Sequence, residues 1–221
     1  MPIDRALAPI PVLDAAAARR LRERHPAWAP LGGLRAAELI RTLRLDDDPR
    51  GRRVVVLCRA IAPGDPAWHA ARWLASWGAH VVAVAWDQPS ISPSPAIVVR
   101  ARPLASDADV DLIVDGLGGL DGGAPEAAIR WMDAAPSPVL ALDLPSGIDP
   151  VTARRAPDAV YAVATVTLGA PSEAALDPDV SDEIGEVYTV DLGLLPEDWE
   201  ALGFDALAGA CFAGGPLLSV R

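Results

Sequence analysis

Residues 139–149 read Val-Leu-Ala-Leu-Asp-Leu-Pro-Ser-Gly-Ile-Asp, a short apolar strand that continues directly into a carboxylate, a proline, a hydroxyl and a glycine. The strand is predicted over Val139–Leu142, so Asp143 and Ser146 follow its carboxyl end. Open α/β folds keep their ligand crevices outside the carboxyl ends of their strands. The segment therefore predicts a fold class and, within it, the place of a functional site.

Strands and helices alternate on both sides of this segment. Unbroken apolar runs such as residues 53–58 are typical of strands that are buried on both faces of a parallel sheet. The other predicted strands are His80–Trp86, Ile97–Arg100, Asp111–Asp115, Ala159–Leu168 and Glu186–Asp191. The predicted helices are Val12–Arg24, Leu34–Leu45, Asp65–Gly78 and Pro125–Ala134. This order predicts a three-layer, Rossmann-like α/β fold with a doubly wound, mostly parallel sheet.

Length and charge limit the domain organisation and the partners. The 221 residues fit one domain, with N-terminal helices in residues 1–50, a sheet core in 51–195 and a divergent C-terminal tail in 196–221. The formal net charge of -11 disfavours nucleic-acid binding, because phosphates repel a chain of that sign. Arginines such as Arg19 and Arg22 are frequent in the first third, where solvated helix faces explain them better than the steering of a partner.

Cysteine usage and hydropathy exclude further classes. The two cysteines, Cys58 and Cys211, cannot build a disulfide scaffold, and no Cys/His cluster has the spacing of a metal site. The chain has neither a signal-peptide core nor an apolar run long enough to cross a bilayer. We therefore expect a cytoplasmic protein that does not enter a membrane.

Two aspartates, Asp115 and Asp143, end strands that should lie close together in the sheet. If both carboxylates face one crevice, burial and mutual repulsion would raise the pKa of one of them and prepare an acid/base pair. Alternatively, each carboxylate caps the helix or loop that follows its strand. Ser146 and Gly147 belong either to this site or only to a tight turn, and the residues alone leave these alternatives open.

Several segments of the chain share their order and spacing with one known family. They are Val54–Cys58, Ala70–Leu74 with Trp77 and Gly78, Leu112–Asp115, Val139–Asp149, Thr165–Pro171 and Gly185–Gly193. On these segments the chain resembles the NAD(P)H-hydrate epimerase family, the YjeF N-terminal domain, and residues 143–149 are the most specific part. The resemblance implies a Rossmann-like fold, a homodimer, and an epimerase that interconverts the two epimers of hydrated NADH or NADPH.

The resemblance also implies roles for individual residues. Asp143 matches the aspartate that contacts the substrate, which makes it the candidate catalytic acid/base. Asp115 and Ser146 match two of the three side-chain ligands of a potassium ion, and the third ligand, an asparagine, aligns with Pro63. Because a hard cation needs several oxygen ligands, this loss weakens the implied metal site and leaves open whether potassium still binds.

The loop after the first buried strand departs from the family pattern. Members read Gly-Pro-Gly-Asn-Asn-Gly-Gly-Asp-Gly, whereas residues 59–67 read Arg-Ala-Ile-Ala-Pro-Gly-Asp-Pro-Ala. Prolines remove backbone donors, and the missing glycines remove the close backbone approach that a phosphate needs, so we expect a degenerate nucleotide loop. Arg59 would neutralise Asp115 or Asp143 in place of the cation, or else be a plain solvent-exposed side chain. The candidate substrate-binding residues are Arg59, Gly64, Asp65, Gly118 and Gly119.

Three functions agree with these residues. The first is an NAD(P)H-hydrate epimerase with an altered active site. The second is a repurposed isomerase or cyclase that acts in the same crevice on a less phosphorylated small molecule. The third is a catalytically inactive module for dimerisation or partner binding.

Overall fold

The computed structural model describes residues 3–6, 8–25, 27–86 and 94–221, and only the backbone of Asp121. Its strands are β1 (Asp4–Arg5), β2 (Arg53–Cys58), β3 (His80–Ala85), β4 (Ile97–Arg100), β5 (Leu112–Gly116), β6 (Val139–Leu142), β7 (Ala164–Leu168), β8 (Glu186–Val190) and β9 (Leu217–Ser219). Its α-helices are α1 (Ala15–Arg24), α2 (Trp28–Arg44), α3 (Pro66–Ser76), α4 (Glu126–Asp133), α5 (Glu173–Leu176), α6 (Ser181–Ile184) and α7 (Pro196–Leu202). No helix within these ranges combines the length and apolarity that membrane crossing requires.

The strands form one sheet in the order β1-β9-β8-β7-β6-β5-β2-β3-β4. All neighbours from β8 to β4 are parallel, β9 runs antiparallel to β8, and β1 pairs in parallel with β9. From β2 the chain winds outward to β3 and β4 on one side, and from β5 it winds outward to β6, β7 and β8 on the other. The strand order therefore reverses between β2 and β5, which is where doubly wound folds form their ligand crevice.

Alternate side chains of β2 enter two separate cores. Val54 and Val56 pack on the face that carries α1, α2 and α3, whereas Val55 and Leu57 pack on the face that carries α4. Helices cover both faces of the sheet, as the continuous apolar strand predicts. The expected three-layer, Rossmann-like α/β fold is confirmed.

Helix α2 begins at Trp28, earlier than the predicted start at Leu34. Within the added first turns, α2 approaches α3 closely at Gly33. A Cβ atom on Gly33 would lie 2.4 Å from the Cβ of His69 and 2.5 Å from the carbonyl oxygen of Pro66. Gly33 therefore lets α2 and α3 touch at a position inside a continuous helix.

The predicted strand Ala159–Leu168 is shorter in the structure, because β7 begins only at Ala164. Val160 donates its N–H to the Ser146 carbonyl at 2.9 Å, so this segment closes the turn after β6. The sheet also takes strands from outside residues 51–195, namely β1 and β9, and residues 196–221 contribute α7 as well as β9.

The start of α1 is clamped to the segment that follows β7. Leu13 donates its N–H to the Pro171 carbonyl and accepts a hydrogen bond from the Glu173 N–H, both at 2.9 Å. The side chain of Asp14 then caps the helix by accepting from the Ala17 N–H at 2.6 Å. These bonds fix where α1 lies relative to the carboxyl edge of the sheet.

Candidate functional site

A hollow of about 270 Å³ opens at the carboxyl edge of the sheet, beside the reversal between β2 and β5. It lies between the loop after β2, the loop after β5 and the residue that follows β6. The structure brings six predicted site residues to its wall, and these are Arg59, Gly64, Asp65, Gly118, Gly119 and Asp143.

Asp143 adopts a left-handed backbone conformation with φ 63° and is 7% exposed. Its N–H donates to the Val166 carbonyl at 2.8 Å, and its Oδ1 accepts from the Leu168 N–H at 3.0 Å. Both bonds hold the residue against β7, so its carboxylate is a fixed part of the wall. Among L-residues, Asp and Asn tolerate this conformation best, and such strain is often found at functional positions.

Asp115 is fully buried and does not line the hollow. Its Oδ2 accepts from the Ser146 N–H at 2.7 Å. Its Oδ1 accepts from the Ser146 hydroxyl at 2.7 Å, from the Leu117 N–H at 3.0 Å and from the Gly118 N–H at 3.4 Å. Burial raises the pKa of Asp115, and these hydrogen bonds oppose the shift.

The expectation that Asp115 and Asp143 share one crevice is therefore wrong for Asp115. The turn at Ser146 folds over that carboxylate and turns it inward. Asp115 instead fulfils the capping alternative, because it holds the loop after β5 to the turn after β6.

Two of the residues that align with the potassium ligands are hydrogen-bonded to each other, and the third has no side-chain oxygen. The Ser146 hydroxyl donates a hydrogen bond to the Asp115 carboxylate, so these two residues are hydrogen-bonded to each other. Pro63 has no side-chain oxygen, and its carbonyl lies 2.8 Å from the Nε2 atom of His69, a contact that sequence reasoning missed. Within the part of the chain that the structure describes, His, Cys, Asp and Glu form no cluster of three or more that could hold a metal ion.

Asp65 caps the N-terminus of α3 and closes the loop that precedes it. Its Oδ1 accepts from the N–H groups of Ala67 at 2.8 Å and Trp68 at 3.2 Å, and its Oδ2 accepts from the Ala60 N–H at 2.8 Å. Pro66, at the first helical position, has no N–H. Burial raises the pKa of Asp65, whereas its hydrogen bonds lower it. The N–H groups that bind a phosphate in such loops are thus already used by the chain's own carboxylate.

Arg59 connects the loop after β2 to the loop after β5 by hydrogen bonds. Its Nη2 atom donates to the carbonyl oxygens of Gly118 and, at 2.6 Å, Gly122. These acceptors are carbonyls rather than the carboxylates of Asp115 or Asp143. They make Arg59 a bridge between two walls of the hollow, a role that neither sequence hypothesis anticipated.

Gly118 and Gly119 let the loop after β5 touch the turn after β6. A Cβ on Gly118 would lie 2.4 Å from the Leu144 carbonyl oxygen and 2.7 Å from the Ser146 nitrogen. Gly119 has φ 66° and donates its N–H to the same Leu144 carbonyl at 2.9 Å. Both glycines therefore allow the loop after β5 to pack closely against the turn after β6 where the two segments line the hollow.

We expect Gly118→Ala to destabilise the protein by about 1–3 kcal/mol, because the added methyl group meets backbone atoms that cannot rotate away. The free energy of unfolding in urea measures this change. Gly64→Ala is the matched control, since a Cβ there meets nothing within 4 Å. Equal stability of the Gly118→Ala variant and the wild type would contradict the contact described here.

One wall of the hollow comes from residues that sequence reasoning did not select, Arg22 of α1 and Trp28 of α2. The guanidinium carbon of Arg22 lies 5.0 Å from the centre of the Trp28 ring. A second cavity of about 390 Å³, called the outer cavity below, shares Arg22, Trp28 and Gly64 with the hollow. The only sequence signal was the high frequency of arginine in the first third of the chain.

Residues 31–174 match the family described as the YjeF-related protein N-terminus. The chain is 34% identical over 173 residues to the bifunctional NAD(P)H-hydrate repair enzyme Nnr of Mycobacterium leprae (strain TN). This match covers 73% of the chain but only 35% of that enzyme's length. The chain is also 29% identical over 197 residues to an NAD(P)H-hydrate epimerase of Dehalogenimonas lykanthroporepellens, covering 82% of the chain and 78% of that protein.

The fold has a solved counterpart in the crystal structure of yeast ynu0. It matches with a TM-score of 0.68 at 13% identity, covering 89% of this chain and 95% of the yeast chain, a likeness that concerns the fold alone. The family match over residues 31–174 extends across more than half of the sequence. The chain therefore belongs to the family of the YjeF-related protein N-terminus.

Proposed function

We propose that this protein is an NAD(P)H-hydrate epimerase with an altered active site, in which Asp143 is the catalytic acid/base. The observation that carries the proposal is the carboxylate of Asp143, held in a left-handed conformation at the wall of a hollow at the strand-order reversal. Relatives that cover most of this chain are named as epimerases or repair enzymes of hydrated NAD(P)H. An epimerisation leaves the atomic composition unchanged, so a carboxylate that takes a proton must return one.

The direct test starts from hydrated NADPH enriched in one epimer and follows its equilibration by chromatography. Addition of the protein is expected to accelerate the equilibration above the rate in buffer alone. Heat-inactivated protein is the control. An equilibration rate equal to that of the control would overturn the proposal.

A repurposed isomerase or cyclase is the second candidate. It is favoured by the N-terminus of α3, where Asp65 already occupies the donors that would otherwise receive a phosphate. An inactive binding module receives less support, because the hollow beside Asp143 is open rather than filled by the chain. The equilibration assay distinguishes the first candidate from both alternatives.

We further propose that the activity does not need potassium. This proposal is supported by the replacement of the third ligand by Pro63, which removes one oxygen, and by the hydrogen bond that ties the other two ligands, Ser146 and Asp115, to each other. We expect the same equilibration rate and the same melting temperature in potassium chloride and in choline chloride of equal ionic strength. A rate or a melting temperature that rises specifically with potassium would contradict this.

The homodimer implied by the family resemblance is also a proposal. Light scattering after size exclusion is expected to give twice the 23.1 kDa mass of one chain. A mass of one chain across the accessible concentration range would contradict it.

A further inference from the structure

The outer cavity carries positive charge next to the hollow. Arg19 and Arg22 lie three residues apart on α1 and therefore face the same side of that helix. Both line the outer cavity together with His25 and, among the residues that the structure describes, one carboxylate, that of Glu23. Arg19 also reaches the loop after β5, where its Nη2 lies 3.4 Å from the Leu120 carbonyl oxygen. A local basic surface of this kind stands out on a chain with a formal net charge of -11.

The two cavities are neighbours. Arg22, Trp28 and Gly64 line both cavities, so the outer cavity lies directly beside the hollow. The volumes, about 270 and about 390 Å³, each approach or exceed the lower size of ordinary small-molecule sites. A ligand that occupied both cavities would have one end at Asp143 and the other end at α1.

Four backbone N–H groups beside the hollow, those of Ala67, Trp68, Gly118 and Gly119, already have acceptors within the chain. The first donors of α3 bind Asp65, and that carboxylate itself repels an anion. In the loop after β5, the N–H of Gly118 points to Asp115, and that of Gly119 points to the Leu144 carbonyl. Side chains are the other source of donors for an anion in this region, and guanidinium groups suit phosphates in both charge and geometry.

We propose that Arg19 and Arg22 bind a phosphate-bearing part of the ligand whose reacting part lies beside Asp143. This inference rests on the proposed function for the reacting end and adds the residues that hold the other end, the nucleotide diphosphate of the hydrated cofactor. Phosphate recognition has thereby moved from the glycine-rich loop before α3 to the arginine side chains of α1.

The test uses ADP as the probe, with calorimetric titration of the full chain. The double variant Arg19→Gln/Arg22→Gln is expected to bind ADP about 10- to 100-fold more weakly, as the loss of charged hydrogen bonds predicts. The matched control is Arg20→Gln/Arg24→Gln, which removes the same charge from the same helix. Arg20 and Arg24 line a different cavity, beside α7. The control is expected to bind within about twofold of the wild type.

Three outcomes overturn the inference: no binding of ADP to the wild type, unchanged binding by the Arg19/Arg22 variant, or an equal loss in the control. Adenosine, which lacks phosphate, is expected to bind the wild type and both double variants equally. Wild-type protein that binds ADP through these arginines but does not equilibrate the epimers would remove the proposed function and support the phosphate site. Suppose instead that the wild type equilibrates the epimers and the Arg19/Arg22 variant has an unchanged KM for hydrated NADPH. This result would support the proposed function and overturn the phosphate site.

Discussion

Asp143→Asn is expected to lower the rate of epimer equilibration by about 10²- to 10⁴-fold, the usual contribution of a positioned acid/base group. The substitution removes the titrating oxygen and leaves the remaining features of the site in place. Asparagine tolerates the left-handed conformation at φ 63°, and its carbonyl oxygen still accepts from the Leu168 N–H. Initial rates on hydrated NADPH, measured together with urea unfolding, separate a catalytic defect from a structural one.

The matched control for this variant is Asp109→Asn, which makes the same chemical change at an exposed position outside the hollow. We expect this control to keep both the rate and the stability of the wild type. If Asp143→Asn equilibrates the epimers as fast as the control does, another group carries the proton transfer and the assignment of Asp143 fails.

Asp115→Asn is expected to destabilise the protein by about 2–4 kcal/mol, although Asp115 does not touch the hollow. Both carboxylate oxygens accept hydrogen bonds from surrounding N–H and O–H groups. An asparagine must place its NH₂ group against one of these donor sets, so at least one buried donor loses its acceptor. The free energy of unfolding in urea is the measurement that checks this value.

Ser146→Ala provides a graded comparison for Asp115→Asn. It removes one hydroxyl donor and leaves the backbone N–H groups of Ser146, Leu117 and Gly118 on the carboxylate. Its expected loss is about 1 kcal/mol, the net value of a single hydrogen bond. A wild-type stability for Asp115→Asn would show that the carboxylate does not hold the two loops together.

The sequence predicted the sheet and the edge at which the site lies. Strands such as β2 and β6 are buried on both faces, so their unbroken apolar runs are enough to predict strands of a parallel sheet. Asp143 directly follows such a run, and a residue at the carboxyl end of a strand has a fixed place in a parallel sheet. The sequence therefore places Asp143 at this edge, whereas the loop glycines were predicted from the resemblance to the family.

Other features depend on contacts that no local pattern records. β1 and β9 have two and three residues, too few for a periodic pattern. They are strands because β9 pairs with β8 and β1 pairs with β9. The inward direction of Asp115 depends on the turn at Ser146, which lies 31 residues further along the chain. The wall that Arg22 and Trp28 form depends on how α1 and α2 pack against the sheet. The sequence alone therefore does not distinguish these two residues from other helix residues.

If Arg19 and Arg22 bind phosphate as proposed, the clamp at Leu13 sets the length of ligand that the site accepts. It ties the beginning of α1, and hence Arg19 and Arg22, to the segment just beyond β7, while the last residue of β7 holds Asp143. The span between the guanidinium groups and the carboxylate is thus set by a few residues of chain around one short strand. Analogues with the correct head group but a shorter connection would dock at one end and remain unreactive at the other.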